Sequence, residues 1–233
     1  MQHNHVSSPI LCIETSGSLC GVALADATSR VLLAELSFFE PFLHDKLLAE
    51  ATRSLLAMTG IKFSSLAAVA VSAGPGSFTG LRIGAAFAKA LAFDNTPQLL
   101  AVPTLQSIAL ASAPVAVAMG KKRVCVGIPS HKHLIYAQNF SLDATPQGTI
   151  ELLDETLITP DANTFYAGAA FAQPAFAANL GFTSLSEFCR ITPSMIAESA
   201  MMLFQKQAFT PAEDFVPLYA QEFVPKSLPK LDS

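Results

Sequence analysis

The chain has 233 residues, a formal net charge of −4, and 14% charged against 51% apolar residues, whereas an ordinary globular chain carries about 25% charge. So little charge excludes intrinsic disorder, and the acidic balance excludes a protein whose main work is neutralising nucleic-acid phosphates. The length predicts one or two domains, with core enough to need no disulfide or metal staple.

In chain order, residues 9–14, 20–25 and 31–37 are short apolar runs separated by Thr15-Ser16-Gly17-Ser18 and by residues 26–30, which predicts three neighbouring strands joined by tight turns. From residue 44 to 59 the period becomes helical, with Leu47, Leu48, Ala51, Leu55 and Met58 on the expected core stripe and Gly60 as the stop. Residues 66–72 read as a buried strand, 73–77 as a glycine-rich turn, 78–93 as a helix, 98–102 as a second buried strand and 104–112 as a helix closed by Pro114. The order is βββαβαβα.

Beyond Pro114 the pattern restarts, with strands near 124–128, 134–140 and 164–168 and then an alanine-rich stretch. Thr192-Pro193 supplies an N-cap and a first-turn proline for a helix to about Lys206. The tail carries Pro217, Pro225 and Pro229 and is expected to run extended along the body. The division expected is residues 1–112 and 113–214 as two lobes, with 215–233 as the tail.

Mean hydropathy is +0.43, and no charge occurs between Asn95 and Gly120. Pro97, Pro103 and Pro114 interrupt that run, so no piece approaches the ~20 apolar residues of a membrane span. Residues 1–9 are polar with no apolar run behind them, so no secretory signal and a cytoplasmic location are expected. Cys12, Cys20, Cys125 and Cys189 form no CxxC and read as buried thiols; His3, His5, His44, His131 and His133 form no HExxH, and no metal site is expected.

The most informative string is Gly74-Pro75-Gly76-Ser77-Phe78-Thr79-Gly80-Leu81-Arg82-Ile83-Gly84, between a buried strand and a helix. It matches neither the Walker A loop nor the dinucleotide fingerprint. Two readings stand: a loop and helix N-terminus that receive an anion, or glycines that only admit close packing.

That string resembles the hallmark of the TsaB (YeaZ) family. Ile13 to Ser16 at the end of the first strand, His44 opening the first helix, residues 88–93 closing the second, and Val216-Pro217-Leu218-Tyr219 near the C-terminus resemble it as well. Where the resemblance would place an Asp-Ala-Arg-like string, Ile128-Pro129-Ser130-His131 stands instead.

The resemblance implies an α/β, actin-like and Hsp70-like ATPase fold of two βββαβαβα-type lobes, the second smaller and degenerate. It also implies a non-catalytic partner of the transferase TsaD in forming N6-threonylcarbamoyladenosine at tRNA position 37. The ATPase TsaE would join the complex, tRNA would bind mainly through the complex, and a homodimer would form when the chain is alone. Glu14, Thr15, Ser16, Gly74, Gly76, Ser77 and Thr79 would then be a vestigial nucleotide or anion site, with weak ATP or ADP binding and no required cofactor. His44 has Leu48 where a second histidine would complete a metal pair, and no GxSxG elbow occurs. A small ATPase or kinase of the same fold, with residues 167–170 as its second-lobe loop, and a glycoprotease-like peptidase are the alternatives.

Helical geometry suggests where a partner would dock. Ile83, Phe87, Ala90 and Leu91 are assigned to the sheet, which leaves Leu81, Ala85, Ala88 and Ala92 as a small-residue seam, either for a partner helix or for packing on the first helix within the chain. Asp45, Ala49, Thr52, Leu56 and Thr59 form a flank of like spacing on the first helix. On this expectation Ala88→Glu breaks association and spares the fold, and Arg82 and Lys89 tolerate substitution. Lys121-Lys122-Arg123 is the one basic cluster that offers a local RNA contact.

Overall fold

The computed structural model describes residues 7–39, 44–172, 188 and 190–219. Cys189, most of the alanine-rich stretch, the side chain of Asp45 and residues 220–233 lie outside the described residues.

Strands β1 (Pro9–Glu14), β2 (Cys20–Asp26) and β3 (Val31–Phe38) are antiparallel neighbours, and β4 (Ala68–Ser72) and β5 (Gln98–Val102) add in parallel to give the order β3-β2-β1-β4-β5. Helix α1 (His44–Thr59) precedes β4, α2 (Phe78–Leu91) lies between β4 and β5, and α3 (Thr104–Ala118) follows β5. This is the βββαβαβα order expected from the runs of apolar residues.

The second sheet has the order β8-β7-β6-β9, from β6 (Arg123–Pro129), β7 (Leu134–Phe140), β8 (Pro146–Asp154) and β9 (Thr164–Ala167). Strand β8 escapes the sequence reading because it is an edge strand. Its PQGTIELLD segment carries a proline and a glycine and is exposed over its first half, so it lacks the apolar alternation that marks a half-buried strand.

Alternation on β1, β2 and β4 gives the first sheet two apolar faces. Leu11, Ile13, Val22, Leu24, Val69 and Val71 meet α1 and α2 on the outer face. On the inner face Ile10, Cys12, Ala23, Ala25, Ala68 and Ala70 share one core with Val124, Val126 and Phe165 of the second sheet.

Two helices fill the space between the sheets, and they are exchanged relative to the expected lobes. Helix α3 packs on β6, β7 and β9 of the second sheet, while α4 (Pro193–Gln205) packs on β1 to β5 of the first. A boundary at residue 112 therefore does not separate two packing units. Helix α3 also runs through Pro114 to Ala118 rather than stopping near Ser112. One missing backbone donor is tolerated because Leu105, Ile108, Ala109, Ala113 and Ala116 are buried along its length. Thr192 caps α4 by accepting from Met195 N at 3.4 Å, with Pro193 in the first turn as expected.

Helix α2 reverses the expected orientation. Leu81, Ala85, Ala88 and Ala92 are its buried face, whereas Ile83, Phe87 and Leu91 are half-buried and Ala90 is exposed. On α1, Thr52 is buried, Leu56 and Thr59 are half-buried, Ala49 is exposed, and Met58, assigned to the core, is 76% exposed. The seam is internal, so it is no surface for a partner. Ala88 is 0% exposed, and Ala88→Glu is therefore expected to lose several kcal/mol of stability and most of the folded population, not association alone. Thermal melting against the wild-type chain checks this, and an unchanged melt would return the seam to the surface.

Candidate functional site

The chain turns sharply after β1, and that turn is built around Glu14. Its Oε1 accepts from Ser16 N at 2.5 Å, Ser16 Oγ at 2.7 Å and Gly17 N at 3.1 Å. The carboxyl is 0% exposed, and its Oε2 and the neighbouring Thr15 Oγ1 have no hydrogen-bond partner among the described residues. Burial pushes the Glu14 carboxyl up to about 7, against the opposing pull of the donors from Ser16 and Gly17.

The glycine-rich string closes over this turn. Ser77 N donates to Ser16 O at 2.7 Å, and Ser77 Oγ caps α2 by accepting from Gly80 N at 3.3 Å. A Cβ on Gly76 would lie 2.5 Å from Ser16 O, one on Gly80 1.9 Å from Thr15 O, and one on Gly84 2.2 Å from Thr15 Oγ1. Gly74 adopts φ +98°, and its Cβ would meet Leu218 O at 2.6 Å. Of the two readings of these glycines, close packing accounts for all four.

A crevice of about 320 Å³ opens beside the loop, between the two sheets. Ser16, Gly17, Ser18, Gly76, Ser77 and Thr104 line one part, and Ile108, Ile128, Pro129, Ala169, Arg190 and Ile191 line the rest. Of the expected nucleotide-site residues, Ser16, Gly76 and Ser77 reach the crevice. Glu14 and Thr15 are sealed beneath it, Gly74 faces the tail, and Thr79 is exposed and is not part of the crevice lining. In the 167–170 string Gly168 has φ +98° and its Cβ would lie 2.2 Å from Gly127 O on β6, while Ala169 reaches the crevice. No group of three or more His, Cys, Asp or Glu suited to a metal occurs among the described residues.

With this geometry in hand, comparison with known proteins decides the family. A model described as TsaD, tRNA N6-adenosine threonylcarbamoyltransferase, matches residues 43–163, from the start of α1 through β8. The chain belongs to the TsaD family. Its similarity extends to the TsaB (YeaZ) proteins expected from the sequence: it is 32% identical over 103 residues to "tRNA threonylcarbamoyladenosine biosynthesis protein TsaB" of Haemophilus influenzae, covering 44% of this chain and 42% of that one. It is 33% identical over 100 residues to TsaB of Escherichia coli, covering 43% and 42%. The chain thus spans about two fifths of the length of these curated relatives.

Among solved structures, YeaZ from Pseudomonas aeruginosa superposes with a TM-score of 0.73 at 25% identity, over 91% of this chain and 99% of that one. A second structure, described as an uncharacterised protein similar to peptidase YeaZ from Pseudomonas aeruginosa, gives 0.76 at 24% and shares the fold. The α/β, actin-like class expected from the sequence is the one found. In this TsaD-family chain no described helix is long and apolar enough to cross a membrane.

The matched segment includes α2, whose outward row is Ile83, Ala86, Phe87 and Ala90, followed by Phe93 at 73% exposure. The segment entering the tail supplies the cover of the inner seam: Ala212 and Phe215 join the apolar cluster of Ala85, Ala88 and Ala92. Lys89, expected to tolerate substitution, donates from Nζ to Glu213 O at 3.2 Å and Phe215 O at 3.1 Å. The signal for this was the position of Lys89 one residue from the seam, with a proline-bearing segment left to pair it.

Two outcomes follow from the buried turn. Gly80→Ala is expected to destabilise the chain by several kcal/mol, since a backbone carbonyl stands where the methyl must go; thermal melting reads it. The folded-state Glu14 carboxyl titrates above its unfolded value, so the folded chain binds more protons between about pH 4.5 and 7 and its stability falls across that window. Glu14→Gln removes this slope, and the wild type should lose up to about 3 kcal/mol relative to the variant between pH 4.5 and pH 8. Parallel pH profiles of the two would refute the assignment.

Proposed function

We propose that the chain is a non-catalytic partner of a TsaD-type transferase in forming N6-threonylcarbamoyladenosine at tRNA position 37. The observation that carries this reading is the way the glycine loop is filled. Where an enzyme of this fold would hold phosphates, the carbonyls of Thr15, Ser16 and Leu218 occupy the space against Gly80, Gly76 and Gly74. Carbonyl oxygens present the wrong sign of partial charge to a phosphate. The one carboxylate at this place among the described residues, Glu14, is sealed away and bound to its own turn.

The matches to TsaB proteins and to the TsaD model supply the process and the partner class. In this reading the outward row of α2 docks on the transferase and, in its absence, on a second copy of the chain, while a TsaE-type ATPase joins the complex. Transfer chemistry and tRNA recognition reside in the partner. The chain carries a net charge of −4, and two members of its basic cluster are already engaged: Arg123 with Asp161 and Thr164, and Lys121 Nζ with Ala162 O. A cytoplasmic location and the lack of any required cofactor belong to the same reading.

The purified chain is expected to hydrolyse ATP no faster than buffer and to bind tRNA weakly. It is expected to sediment with an added TsaD-type transferase, and Ala86→Glu should weaken that association about tenfold or more with an unchanged melt. ATP turnover that disappears in Glu14→Gln would overturn the non-catalytic reading, and an undiminished complex with Ala86→Glu would overturn the docking surface.

A further inference from the structure

The outward row of α2 ends in a charge. Arg82 lies one turn before Ala86 and is exposed. Its guanidinium carbon sits 4.1 Å from the centre of the Phe78 ring and 5.7 Å from that of Tyr219, and these rings pack edge to face at 5.2 Å. Tyr219 is held there by the tail, in which Leu218 N donates to Ala73 O at 2.8 Å and the carbonyls of Glu213 and Phe215 accept from Lys89 Nζ. Arg82 is thus steadied by two rings from separate parts of the chain, and no carboxylate pairs with it among the described residues. Lys89, the other cation of α2, is already held by those two carbonyls.

We propose that Arg82 is the specificity-determining contact of the docking surface and takes a carboxylate side chain carried by the partner's facing helix, with Phe78, Tyr219 and Lys89 as positioning residues. This rests on the reading that α2 docks through its outward row. A helix that covers Ile83 and Ala86 also removes water from Arg82, and a covered guanidinium opposes association unless an anion meets it. Stacking on a ring leaves the edge of the guanidinium fork free for two parallel hydrogen bonds, the geometry of a carboxylate. A nucleic-acid backbone fits less well, because it is held by several cations together and here, among the described residues of α2, Arg82 stands beside apolar side chains with Lys89 already held by carbonyls.

The test is titration of a TsaD-type transferase with the wild-type chain, Arg82→Ala, Arg82→Lys, Tyr219→Leu and Ala86→Glu at low and high salt, with a thermal melt and a tRNA-binding curve for each. Arg82→Ala should weaken the complex about tenfold and flatten its salt dependence, with the melt unchanged. Arg82→Lys should recover part of the affinity, because a point charge replaces a fork, and Tyr219→Leu should fall between Arg82→Ala and wild type. If Arg82→Ala binds like wild type while Ala86→Glu does not, the assignment of Arg82 fails and the docking reading stands. If neither variant weakens the complex, the docking reading itself fails. Loss of tRNA binding by Arg82→Ala with protein association intact would replace the carboxylate by a phosphate and overturn the proposal.

Discussion

Helix α2 approaches the end of β1 more closely than any side chain allows, and most of the site is arranged around that approach. Thr15 O and Thr15 Oγ1 stand where the methyl groups of an alanine at 80 or 84 would be, and Ser16 O does the same at 76. The glycines are therefore required by distance alone. Once the helix lies this near, the Glu14 turn is sealed beneath it, and the carboxyl is held in a cavity that favours its neutral form. The crevice between the sheets keeps only the rim of the loop, Ser16, Gly76 and Ser77.

The same distance explains what the sequence could and could not tell about the site. The order of strands and helices was legible, because buried parallel strands such as 98–102 and the glycine-rich turn before residue 78 leave plain patterns. The orientation of α2 was not. A hydrophobicity argument sends Ile83 and Phe87 inward, yet where a helix touches backbone it has room only for small residues such as Gly80, Gly84, Ala85 and Ala88, and Ile83 and Phe87 are displaced to the flank while Leu81 alone of the bulky ones stays inside. Gly80 and Gly84 held this information, since Leu81, Ala85 and Ala88 share one face with them. The motif pointed to the TsaB relatives but carried no information on which side of the helix was free.

Other elements were hidden for different physical reasons. Strand β8 lies at an edge, where solvent removes the need for alternation. Pro114 looks like a helix end in sequence, but tertiary burial on both sides of α3 outweighs the lost donor. The tail's role could not be read from composition, because it depends on where Lys89 and Gly74 are presented once α2 is in place.

The exchange of α3 and α4 between the sheets carries a consequence for biosynthesis. Strands β1 to β5 are complete by residue 102, yet the helix that covers their inner face spans Pro193–Gln205. While the chain is being made, Ile10, Cys12, Ala23, Ala25, Ala68 and Ala70 stay without that cover until Pro193–Gln205 has left the ribosome, about ninety residues after β5. The N-terminal half is thus committed early in topology and late in stability, an interval in which its inner apolar face is open to chaperones.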